Sequence, residues 1–121
     1  MRLNSSLIIA VLVSCIFLFS QSAFAWLYDG NLLVKYMQQF EMAERRDDNA
    51  IYGSAGTYRG YVAGVFDSTA STLCHPDLNE QISIRQVCWI VAKYLKEHPE
   101  DWGKPAFVLV RSALRKAFPC K

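Results

Sequence analysis

Apolar positions recur at intervals of three and four residues along most of this chain, a period that predicts helices. Over residues 29 to about 45, Leu32, Leu33, Tyr36, Met37 and Phe40 fall on one stripe. Over 54–71 the stripe is Tyr58, Val62, Val65, Phe66 and Thr69. Over Ile84–Glu97 it is Ile84, Val87, Cys88, Val91, Tyr94 and Leu95. Over 105–117 it is Phe107, Val110, Leu114 and Ala117, with Phe118 just beyond. No segment alternates cleanly at period two between turn signals. The expected fold is all-α, a compact bundle of about four helices.

The polar positions mark where these helices start and stop. Ser83-Ile84-Arg85-Gln86 has the form of a capping box, in which side chains and backbone amides at the two ends satisfy one another. Pro99 ends the third helix, because the residue before a proline resists helical angles. Pro105 suits the first turn of the fourth. Residues 73–81 read as a loop fixed by Cys74 and Pro76, and the charge run 44–49 as a solvated helix end and turn.

The second helix carries an oddity. Gly53, Gly56, Gly60 and Gly64 recur every three or four residues on a face of their own. Each interior glycine costs a helix about 1 kcal/mol relative to alanine, so a compensating contact is expected. Close approach of another backbone supplies one, either within the core or from a second subunit. The second case makes Gly60 and Gly64 a candidate homodimer face.

The first residues change the picture of where the chain works. Arg2 precedes a nearly unbroken apolar run from Leu7 to Phe19, and Ala23-Phe24-Ala25 follows as a small-residue cleavage site. The run is short for a membrane span, which needs about 20 residues. The expectation is a signal peptide over 1–25, a mature domain over 26–121 beginning at Trp26, and a periplasmic location with no membrane contact after cleavage. A rival is lipidation at Cys15, since Leu12-Val13-Ser14-Cys15 resembles a lipobox. Its mature end, Ile16-Phe17-Leu18-Phe19, would be greasy where a polar tether is usual.

Charge and cysteine content narrow the function. Lys and Arg total 13 against 11 Asp and Glu, which removes the electrostatic argument for nucleic acid or an anionic membrane. Three cysteines lie beyond the leader. Cys74 follows the second helix and Cys120 the fourth, where a bridge distorts neither, whereas Cys88 lies on an inward stripe as a small hydrophobe. The expected disulfide is therefore Cys74–Cys120. It would close a loop of about 46 residues and contribute about 4 kcal/mol by chain entropy. Cys88 has no base or orienting group near it in sequence, and His75 and His98 read as surface or helix-end residues. The carboxylates show no paired spacing. No catalytic, metal or cofactor site is read.

With these landmarks placed, the chain resembles the periplasmic immunity proteins that act against type VI secretion amidases, the Rap/Tai group. The matching residues are Asp29-Gly30-Asn31-Leu32-Leu33, Gly60-Tyr61-Val62-Ala63-Gly64, and Leu73-Cys74 with Pro76. They continue in Ser83-Ile84-Arg85-Gln86-Val87, Tyr94-Leu95-Lys96-Glu97-His98-Pro99-Glu100 and Ala113-Leu114-Arg115-Lys116-Ala117-Phe118-Pro119-Cys120. Many members carry a further cysteine pair where this chain has Tyr36 and Tyr58, which suggests aromatic packing in place of a lost bridge. The resemblance implies a non-enzymatic binding protein, often a homodimer, that occludes the active-site cleft of a secreted peptidoglycan amidase. Of two edges that could enter a cleft, the turn over 45–52 and the loop over 73–81, the pinned loop loses less entropy on binding. His75, Asp77 and Asn79 are its expected contacts. A periplasmic chaperone, or another envelope structural or stress protein, is the competing class. With two histidines and no acidic excess, the chain has little equipment for pH sensing.

Overall fold

The computed structural model describes residues 4–6, 8, 9, 11, 27–73 and 82–120. Most of the expected leader, with Cys15, lies outside the described residues, as do Cys74, His75, Pro76, Asp77 and Asn79. Among the described residues the domain is all-helical, with α1 (Gly30–Glu44), α2 (Tyr52–Thr69), α3 (Ile84–Glu97) and α4 (Ala106–Ala117). Short 3₁₀ turns over Ala70–Thr72 and Pro99–Asp101 follow α2 and α3. The α1–α2 contact is the most extensive, and α2 touches all three other helices. No described helix is long and apolar enough to cross a membrane.

Local chemistry explains most boundaries. Asp29 caps α1, its carboxylate accepting from the Leu32 amide at 2.9 Å. The start of α1 is tied to the start of α4: Gly30 N–H donates to the Lys104 carbonyl (2.9 Å) and Ala106 N–H to that of Tyr28 (3.0 Å). This approach requires glycine, since a Cβ at position 30 would lie 2.6 Å from the Trp102 carbonyl oxygen. At its other end, Arg46 N–H donates to Ala43 and Asp47 N–H to Met42, each at 3.0 Å, which is the Schellman closure. Arg46 holds a φ of 57° there, where glycine is usual. The expected capping box closes α3, with Ser83 N–H donating to the Gln86 side chain at 2.9 Å and Gln86 N–H to the Ser83 hydroxyl at 3.2 Å. His98 ends α3 as expected, its ring stacked on Tyr94 at 4.1 Å. The Trp102 indole N–H donates to the Leu95 carbonyl at 2.8 Å and folds the following turn back onto α3.

The core lies where the four stripes meet, and Tyr58, Phe40, Leu33, Leu95, Leu109 and Leu114 are its largest fully buried side chains. Val34, Ala55 and Ala92 join it although the stripes omitted them, while Leu32 and Tyr36 are half-buried. The fourth stripe needs a larger correction. Ala106, Leu109, Val110, Ala113 and Leu114 face inward, Phe107 is half-buried and Ala117 is exposed. Reading only bulky residues rotated that face, because α4 turns two alanines toward the core to pack closely. Pro105 precedes α4 as its N-cap and does not lie in its first turn. The second helix starts two residues before the expected position 54, and its last turn tightens into the 3₁₀ segment.

Candidate functional site

The glycine face of α2 is the first surface the sequence singles out. Gly53, Gly56, Gly60 and Gly64 are all exposed, and a Cβ added at any of them meets nothing within 4 Å. Packing of this face into the core, the first explanation for these glycines, is overturned. A strip of bare helical backbone instead faces outward, and among the described residues no contact offsets its propensity cost. At its N-terminal end stand two exposed apolar residues, Ile51 and Tyr52, at 60% and 65% relative exposure. The Ile51 amide donates to the Gln39 side chain at 2.7 Å, so this corner is held against α1.

The second surface is a groove between α3 and α4, of about 350 Å³, that the sequence reading did not anticipate. Ile90, Tyr94, Ala113 and Ala117 line its apolar part, and Lys93, Glu97 and Lys116 its rim. It exists because Ala113 and Ala117 are small opposite Ile90 and Tyr94. The pairing of helices creates it, and no single stripe reveals it.

Cysteine chemistry is quiet. Cys88 is fully buried, and burial pushes its thiol up to about 11, with Glu44 adding to the rise and Arg59 opposing it. Such a group is a packing residue and not a nucleophile. Cys120 is not a free thiol. Because Cys74 lies outside the described residues, no Cys74–Cys120 bridge is described, and that pairing passes to the proposal below. Tyr36 and Tyr58 occupy separate aromatic groups. Tyr36 meets Tyr28 edge-on at 6.0 Å, and Tyr58 lies against Phe40 at 5.2 Å. Among the described residues, no group of three or more His, Cys, Asp and Glu side chains could hold a metal.

Two ion pairs, Glu41–Lys96 and Glu44–Arg85, join α1 to α3 on either side of the Phe40–Trp89 ring contact at 5.3 Å. Their carboxylates are largely covered while the cations are half exposed, so they fix the two helices in register more than they add stability. Among the described residues, the helical body leaves the glycine face of α2 and the α3/α4 groove open. The chain belongs to the Rap1a immunity protein family: the model of that family, described as Rap1a immunity proteins, matches residues 30–120, which run from the first residue of α1 to Cys120. A search of curated proteins finds no match.

Proposed function

We propose that this protein is a periplasmic immunity protein that binds and occludes a peptidoglycan amidase delivered by a type VI secretion system. The family match over the whole helical domain carries the reading. Export through a cleaved leader over 1–25 is part of it, because an amidase acts on the cell wall. So is a Cys74–Cys120 bridge, which would pin the loop over 73–81 and hold His75, Asp77 and Asn79 toward the enzyme cleft. The open glycine face supports a homodimer, with Gly60 and Gly64 admitting the partner backbone. Blockade by a rigid body needs an interface of about 1,200–2,000 Å² and no catalytic group of its own.

The test is protection in cells. A strain expressing the cognate type VI peptidoglycan amidase in its periplasm should survive with the full chain. It should lyse with a form lacking residues 1–25, because that form is confined away from the target. Lysis with both forms would overturn the reading.

A further inference from the structure

The α3/α4 groove is lined by residues of those two helices and by none of α2, and its chemistry is uneven in a useful way. Its floor is apolar and its rim is charged. Lys93 and Lys116, at 78% and 63% side-chain exposure, approach the same carboxylate, Glu97, at 3.9 and 3.7 Å. Two ammonium groups share one carboxylate, so the rim is positive by one unit, and both contacts are near the long limit of an ion pair. Tyr94 forms a fixed wall: its ring stacks on His98 at 4.1 Å, and the Lys116 ammonium stands 5.9 Å from its centroid. The His98 ring is itself held by a 2.9 Å contact from Nδ1 to the Tyr94 carbonyl. About 350 Å³ is at the small end of ligand sites, the scale of one or two side chains.

We propose that this groove docks an acidic peptide segment of a protein partner, with an apolar side chain on the Ile90–Ala113–Ala117 floor and a flanking carboxylate between Lys93 and Lys116. Charge complementarity selects the occupant. A basic segment would meet two lysines and gain one carboxylate that is already shared, whereas an acidic one completes the second ion pair. The preformed wall lowers the ordering cost of binding. The proposal goes beyond the immunity reading and does not need the partner to be an amidase.

Three N-acetylated, C-amidated pentapeptides, EELEE, QQLQQ and KKLKK, provide the test by amide chemical-shift titration of the mature protein. EELEE should shift the amides of Ile90, Lys93, Tyr94, Ala113 and Ala117, with an affinity near the millimolar range that weakens as salt is raised. QQLQQ should bind about tenfold more weakly, and KKLKK should leave these amides unmoved. The double change Lys93→Gln with Lys116→Gln should abolish the preference for EELEE. Ala117→Met should fill the floor and remove binding while the rest of the spectrum is kept. Equal binding of all three peptides overturns the proposal, as does the absence of any shift with EELEE at several millimolar. Movement of the same amides on simple dilution would also overturn it, because a second copy would then be the occupant. None of these outcomes bears on amidase protection, so the two readings fail separately.

Discussion

The Tyr58 hydroxyl donates to the Cys88 backbone carbonyl across 2.9 Å of closed core, joining α2 to α3. Both side chains are fully buried, and this bond satisfies the polar end of the core's largest residue. Tyr58→Phe should therefore fold normally and lose about 1 kcal/mol, the net worth of one intramolecular hydrogen bond. Tyr58→Ala adds a cavity and should cost about 3–5 kcal/mol. Urea unfolding followed by circular dichroism measures both, with the midpoint shifting at nearly constant slope.

The same pair sets a response to alkaline pH. Burial raises the Cys88 thiol from 9.0 to about 11 and holds the Tyr58 phenol well above its ordinary value of 10.0. Both groups stay neutral in the folded protein while the unfolded chain ionises. Their contribution to stability is whole below about pH 9 and is lost as pH rises through the folded values. The urea midpoint should fall steadily from pH 8 toward pH 11, and less steeply in Cys88→Ala. A thiol-specific reagent should leave Cys88 unmodified at pH 8 until the protein unfolds.

Two backbone positions at the ends of α1 should respond in opposite ways. Gly30→Ala places a methyl group against the Trp102 backbone and the Leu109 side chain, and the backbone contact cannot rotate away. It should cost about 1–3 kcal/mol. Arg46→Gly removes the Cβ from the left-handed closing position and should stabilise by about 1 kcal/mol. Differential scanning calorimetry of the two variants reads the opposite signs directly.

The glycine face yields a test of assembly without a test of folding. Because nothing lies within 4 Å of a Cβ at Gly60 or Gly64, leucine at either place should fold with no loss of stability and a small gain in helix propensity. In sedimentation the wild-type protein should be a dimer and each leucine variant a monomer. A wild-type protein that stays monomeric at high concentration removes the interface.

How much of this was legible beforehand depends on where the information sits. The bounds of α3 are written locally, in Ser83, Gln86 and Pro99, and both ends are as read. The inward faces of α1 and α3 follow largely from period, because Leu33, Met37 and Phe40 on one and Val87, Val91 and Leu95 on the other are both on the stripe and buried, while Leu32, Tyr36, Ile84 and Tyr94 lie at its edge. Period could not orient α4, whose close packing uses Ala106 and Ala113, nor decide whether the glycine face of α2 turned toward a neighbour or toward solvent. The α3/α4 groove was illegible for a related reason. Lys93 and Glu97 are neighbours by i,i+4 spacing on α3, but Lys116 joins them only once α4 is docked, and no spacing within either helix predicts that. The family resemblance, by contrast, lay in the order of short motifs along the chain, and the family match over residues 30–120 covers all of them but Asp29.

Under the proposed function, this helical domain silences a cell-wall amidase by binding it. Peptidoglycan hydrolysis by the cognate type VI amidase, assayed with increasing amounts of the oxidised protein, measures this directly. Stoichiometric inhibition, with the two proteins co-eluting from a sizing column, is the predicted result. Undiminished hydrolysis with the protein in micromolar excess, and no co-elution, would contradict it.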